Sequence, residues 1–337
     1  MIVALQTETN QPISISQIPK PVAAAGQVVV GLKAAALNHR DVFVQEGKYP
    51  GINLPVVLGS DGAGVVVAVG EGVSDGLLGR EVVINPALNW GANPAFYGKD
   101  FKILGMPDNG TFAEFIAIDA KNCYAKPSHL SFEAAAALPL AALTGWRALM
   151  GRAGLKAGER VLVTGIGGGV ALFVLQFAVA TGAEVWVTSG SDYKIERAVA
   201  LGAKGGVNYR QADWLKKLME VTGGGRAGYF DVIIDSAGGP SFAKLTDAAA
   251  LGARICFFGG TNGNITDIVP SKVFFKQLNI LGSTMGSDAE FADMLTFVEK
   301  HQIQPVIDSI LPLEQAQTAL TRMNEGLQFG KIVLKIG

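Results

Sequence analysis

From Val28 to about Val83 the chain sets short apolar, β-branched runs (VVVGLKAAAL, GAGVVVAVG, REVVI) between Pro and Gly punctuation, a pattern that predicts a compact, mostly β domain. Between Asn85 and Gly110 the periodicity lapses and Asn, Gly and Pro accumulate, so a long lobe or loop is expected there, after which TFAEFIAI resumes strand character. Beyond Ser131 the pattern changes. FEAAAALPLAALTGWRALM favours helix through its alanines and leucines. Six strand candidates follow: RVLVTG, AEVWVTSG, GGVNY, YFDVIIDSAG, GARICFFGG and LNILGSTMG, with the helical segments LFVLQFAVATG, SDYKIERAVALG and DWLKKLMEVTG between the early ones. Apolar strands alternating with helices predict a parallel sheet covered on both faces, and six of them make a complete Rossmann dinucleotide-binding fold. After Ser287, FADMLTFVEKHQIQPVI reads as helix then strand and GKIVLKI as a final strand, so the tail is expected to return to the first domain. The fold class expected is therefore α/β, with a mostly β domain over residues 1–132, a six-stranded parallel domain over 133–286 and a return segment over 287–337.

Composition narrows the partners. At 337 residues, 49% hydrophobic and 17% charged, the chain can fill two packed domains. A net charge of −1 leaves no cationic surplus for a phosphate backbone, so nucleic acid is not an expected partner. Cys123 and Cys256 lie far apart in strand-like surroundings, which argues for buried thiols rather than a disulfide or a cysteine metal site. The start MIVALQTETN has no signal-peptide character, and no apolar run is long enough to span a bilayer, so a cytoplasmic enzyme is expected. His39, His129 and His301 are too scattered for a histidine metal cluster, and the last two read as surface residues.

The cofactor signal is RVLVTGIGGGVA, an apolar strand, a glycine cluster and then a helical run. Gly165 permits the tight turn, and Gly168 with its neighbours lets backbone amides approach a pyrophosphate at a helix amino terminus. The string is GxxGxxA, with Ala171 at the packing position usually held by a third glycine. The second strand ends VWVTSGSDYK. Ser189, Gly190 and Ser191 offer hydroxyl and amide donors and Lys194 a positive charge, a set suited to the 2′-phosphate of NADP(H). Two alternatives stay open: another register would put Asp192 at the ribose, and Ser191 is also a good helix cap with Lys194 on the surface.

With LPVVLGSDGAGVVVAVG, VLVTGIGGGVALFVLQFA, the LGA at Leu201 to Ala203 and the terminal GKIVL, the sequence resembles the medium-chain dehydrogenase/reductase superfamily over nearly its whole length, and within it the zinc-free quinone oxidoreductase-like and alcohol dehydrogenase-like proteins. The resemblance implies a GroES-like catalytic domain, a nicotinamide cofactor and a homodimer. Zinc-dependent relatives hold a catalytic metal where this chain has Asn38, Ser60 and Leu140, with Asp61 beside Ser60, and the lobe that holds a second zinc in many relatives has no cysteine. Those residue types cannot supply a zinc ligand set, so no metal is expected. By the same resemblance Asn38, Tyr49, Ser60 and Thr144 line the substrate pocket, with Tyr49 the preferred hydrogen-bond and proton donor, though a tyrosine before Pro50 also fits a packed turn. Arg40 and Asp41 read as a structural ion pair or a lost relay position. The cofactor-binding set expected is Gly165, Gly167, Gly168, Gly169, Val170, Ser189, Gly190, Ser191, Lys194, Tyr209, Ser236, Phe258, Gly259 and, at the pyrophosphate, His39. The function this implies is NADPH-dependent reduction of an α,β-unsaturated carbonyl or quinone without metal. The alternatives are an aldehyde or ketone oxidoreductase, and an NADPH-sensing module with little turnover.

Overall fold

The computed structural model describes every residue, Met1–Gly337, as two compact units: Met1–Leu143 with Gly286–Gly337, and Thr144–Met285. In the first unit the strand Gln27–Ala36 is central, pairing antiparallel with Asp61–Val69, Phe115–Asp119 and Lys331–Lys335. Seven of its ten residues are buried, on both faces of the strand, which explains why its apolar run does not alternate with polar residues. Val28, Val30, Leu32 and Ala35 join Val66, Ile116, Ile118, Ile332 and Leu334 in one core. The carboxyl-terminal strand closes this sheet, with Val333 opposite Ala36 and the Leu37 amide donating to the Ile332 carbonyl at 3.0 Å. That register brings Lys331 alongside Asn38.

The helix expected from FEAAAALPLAALTGWRALM is interrupted. Phe132–Ala136 ends before Pro139, which opens a second helix, Pro139–Trp146, followed by a π-helical stretch over Arg147–Arg152. Proline has no N–H to continue the first helix but fits the first position of the second. In the lobe, Ala87–Leu88 pairs with Lys102–Ile103. Trp90, 1% exposed, packs edge-on to Tyr97 and Phe101 at ring separations of 5.9 and 5.3 Å, so an aromatic cluster organises the lobe.

The second unit is a six-stranded, all-parallel sheet in the order Gly205–Asn208, Glu184–Ser189, Arg160–Val163, Phe230–Asp235, Ala249–Phe257, Asn279–Gly282. In chain order this is 3-2-1-4-5-6, the arrangement of two mononucleotide halves meeting at the first strand. Gly169–Ala180, Asp192–Ala200 and Trp214–Thr222 are the three expected helices. Burial pushes both thiols up to about 12, leaving Cys123 and Cys256 as inert packing groups. His129 and His301 are half-buried rather than surface residues: His129 Nε2 meets the Ile303 carbonyl at 3.1 Å and His301 stacks on Phe297. No helix is long and apolar enough to cross a membrane.

Candidate functional site

The LGSDG string makes a turn that only glycine allows. Gly59 has φ +97°, and a Cβ there would run into the Phe112 ring. The turn delivers Ser60 and Asp61 into the interior, both 0% exposed. An isolated buried carboxylate is strongly unfavourable, and Asp61 is fully partnered. Its Oδ1 accepts from the Leu140 amide at 2.8 Å, and its Oδ2 accepts from Asn38 Nδ2 and from Lys331 Nζ, both at 2.9 Å. Lys331 Nζ also donates to Asn38 Oδ1 at 2.7 Å. The Asn38 amide is therefore held in one orientation, with Oδ1 on the ammonium and Nδ2 on the carboxylate.

A second cluster adjoins it on the helix His39–Gln45. Arg40, 8% exposed, donates from Nη1 to Ser60 Oγ at 2.6 Å and to the Leu104 carbonyl at 2.7 Å, and from Nε to the Tyr49 hydroxyl at 3.2 Å. Its guanidinium carbon lies 4.7 Å from the Tyr49 ring centroid. Ser60 Oγ donates its own hydrogen bond to the Leu104 carbonyl at 2.7 Å, so this hydroxyl anchors Arg40. Asp41 does not pair with Arg40. Its Oδ2 accepts from the Asn38 backbone amide at 2.8 Å and caps the helix, while Oδ1 is buried without a partner. Desolvation raises the Asp41 carboxyl to about 6 against the opposing pull of Arg40. Asn38, Ser60 and Tyr49 are thus brought together through Asp61 and Arg40. His39 is exposed and packs edge-on to Phe43.

A zinc ion does not fit this donor set. Asn38 Oδ1 and Asp61 Oδ2 already share the Lys331 ammonium, Ser60 is committed to Arg40, and Leu140 contributes only its backbone. No three His, Cys, Asp or Glu side chains are grouped to hold a metal ion.

In the second unit the glycine turn leaves the strand Arg160–Val163 with Gly165 at φ +64° and Gly167 at φ +125°, and Gly168 caps the helix Gly169–Ala180. A side chain at Gly168 would meet nothing within 4 Å, which leaves its backbone face open to a pyrophosphate beside Gly169 and Val170 at the helix start. The turn is braced from behind: the Ile166 amide donates to the Thr188 carbonyl at 2.8 Å, and Thr164 Oγ1 donates to Asp235 Oδ1 at 2.6 Å. Ser236 lies against Gly165, and Gly259 packs so closely on the Ser236 carbonyl that no Cβ fits. The Phe258 amide donates to the Asp235 carbonyl at 3.2 Å. These contacts fit a nicotinamide dinucleotide laid across the carboxyl ends of the strands.

At the end of the strand Glu184–Ser189, Ser189 is buried and its hydroxyl donates to the Ile166 carbonyl at 3.2 Å. The Ser191 amide donates to Ser189 Oγ, and no side-chain cap bond forms at Ser191. Asp192 accepts from Asn208 Nδ2 at 3.0 Å. A Cβ on Gly190 would lie 3.0 Å from the Tyr209 hydroxyl and 2.9 Å from Arg210 Nε, while one on Gly167 would lie 3.4 Å from Lys194 Nζ. Arg210 and Lys331 are the two groups that sequence reasoning missed. Arg210 directly follows Tyr209, and Lys331 is a lone charge opening an apolar strand. Thr144, in this unit, is 6% exposed with Oγ1 3.9 Å from Met285 Sδ.

Residues 24–128 match the alcohol dehydrogenase GroES-like domain family and residues 169–300 match the zinc-binding dehydrogenase family. The chain is 36% identical to the zinc-type alcohol dehydrogenase-like protein YogA of Leptosphaeria maculans, over 96% of this chain and 95% of that one. It is 31% identical to the quinone oxidoreductase of Rattus norvegicus, over 90% and 87%. A solved structure described as an NAD-dependent alcohol dehydrogenase superposes with a TM-score of 0.93 at 40% identity, covering 100% of both chains. The fold, the glycine turn and these relatives agree, and the chain belongs to the medium-chain dehydrogenase/reductase superfamily of oxidoreductases.

Proposed function

We propose that the protein is a cytoplasmic, metal-independent reductase that uses NADPH to reduce an α,β-unsaturated carbonyl or a quinone. The observation that carries the cofactor choice is the crowding of Tyr209 and Arg210 over Gly190, with Lys194 over Gly167 and the Asp192 carboxylate engaged by Asn208. A phosphate at Gly190 would meet the Tyr209 phenol and the Arg210 guanidinium, with the Lys194 ammonium at the glycine turn. When bound, the nicotinamide supplies hydride from C4. The chain's own residues supply the rest: Tyr49 donates a hydrogen bond and then a proton to the substrate oxygen, Asn38 and Thr144 orient the reactants, and Ser60 keeps Arg40 in place. The homodimer is supported by the open edge of the strand Asn279–Gly282, near which Leu251, Phe274 and Phe275 are 67%, 55% and 77% exposed. A second reading, an aldehyde or ketone oxidoreductase using NAD(H), is favoured by the name of the 40% identical structure.

Two measurements test this. Dissociation constants should favour NADPH over NADH in the parent. Lys194→Ala and Arg210→Ala should each weaken NADPH about tenfold while leaving NADH unchanged, the loss of one charge-assisted contact. A parent that prefers NADH, or variants with an unchanged ratio, would support the second reading. Elemental analysis should find far less than about one zinc per chain, with turnover of 1,4-benzoquinone insensitive to chelator. Stoichiometric zinc with activity lost on chelation would end the metal-free reading.

A further inference from the structure

Arg40 is a buried cation without a carboxylate partner. The adjacent Asp41 turns to cap its own helix, and every hydrogen-bond and ring partner of Arg40 is neutral: Ser60 Oγ, the Leu104 carbonyl, and the ring and hydroxyl of Tyr49. A guanidinium carries only hydrogen-bond donors and no acceptor. Its Nη2 is enclosed and has no partner, so Arg40 has no free edge to offer a ligand directly. Its one outlet is Tyr49. Because the phenol oxygen accepts from Arg40 Nε, the phenol proton must point away from Arg40, and Tyr49 donates to no group of the chain. Tyr49 is half-buried, with one side against the guanidinium and its hydroxyl proton uncommitted.

We propose that Arg40 is a positioning residue that acts through Tyr49, aiming the phenol proton at the substrate oxygen and holding a positive charge against the phenolate left behind. This rests on the reading of Tyr49 as the donor. Hydride adds to the electrophilic carbon of the substrate, and the displaced π electron pair moves onto its oxygen. The Tyr49 O–H bond then breaks as the proton joins that oxygen, and solvent water reprotonates the phenolate. Arg40 gives up nothing and takes up nothing. What it supplies is a fixed hydrogen bond and a fixed positive charge beside the phenol, set in place before the proton moves.

The test is a double-mutant cycle with 1,4-benzoquinone and NADPH. Tyr49→Phe and Arg40→Gln should each lower kcat about tenfold or more, with NADPH dissociation within about twofold of the parent, as expected when an interaction made in the transition state is lost. Arg40→Lys should recover part of kcat and also serves if Arg40→Gln folds poorly. Combining Arg40→Gln, or Arg40→Lys, with Tyr49→Phe should cause no further loss, and the solvent deuterium isotope effect on kcat should rise in the Arg40 variants only when Tyr49 is present. If Tyr49→Phe is slow but the two losses multiply, Arg40 acts independently and the inference falls while the role of Tyr49 stands. If Tyr49→Phe keeps parental kcat, both fall.

Discussion

Lys331→Met is expected to destabilise the protein by about 3 to 5 kcal/mol, the usual loss when one partner of a buried ion pair is removed. Lys331 is 3% exposed, and Asp61, its partner at 2.9 Å, is 0% exposed. Methionine roughly matches the aliphatic stem but leaves the Asp61 carboxylate buried with two neutral donors, Asn38 Nδ2 and the Leu140 amide, to offset its desolvation. It also releases Asn38 Oδ1 from its donor. Removing both charges should be far milder: Lys331→Met combined with Asp61→Asn should recover most of the loss, because a neutral amide at position 61 can still accept from Leu140 or Asn38. Urea denaturation followed by circular dichroism measures both. A single variant within about 1 kcal/mol of the parent would mean that water reaches the pair and that the cluster contributes little.

Much of the architecture could be read from the chain because its strands are driven by burial. RVLV, EVWVTS, FDVIID and ARICF are apolar on both faces, and only a parallel sheet sandwiched between helices buries both. The glycine turn was equally legible, since Gly165 and Gly167 take positive φ that other residues avoid. Partner choice was not. Arg40 and Asp41 are adjacent and opposite in charge, yet successive helical residues point in different directions, so one reaches Ser60 and Leu104 while the other caps the helix. Lys331 meets Asn38 and Asp61 across 293 and 270 positions of chain, a pairing set by the register of the last strand and by nothing in its local sequence. The sequence pointed to Ser189 as a hydroxyl donor for the cofactor. The strand, however, buries that hydroxyl against the Ile166 carbonyl, whereas Arg210 comes from the turn after the strand Gly205–Asn208 and lies over Gly190.

Asp41 gives the fold a pH dependence whose sign is unusual for an aspartate. Capping carboxylates normally gain from ionisation, but this one has 0% exposure and an Oδ1 with no donor, so desolvation outweighs the Asn38 amide and the Arg40 charge and its pKa rises from 3.8 to about 6. Between those two values the native state holds a proton that the unfolded chain has released. Stability therefore falls as pH rises from about 4 to about 6 and is level above that as far as this group is concerned, a total of about 3 kcal/mol for a shift of about two units. Asp41→Asn removes the buried charge while its side-chain carbonyl can still accept the Asn38 amide. The variant should match the parent near pH 4, gain on it steadily up to about pH 6, and keep a roughly constant advantage of about 1 to 3 kcal/mol at pH 8. Urea midpoints of both proteins at pH 4.5, 6 and 8 give the comparison. An advantage that shrinks as pH rises, or parallel curves for the two proteins, would show that Asp41 ionises freely in the native state and that its orphaned oxygen is solvated.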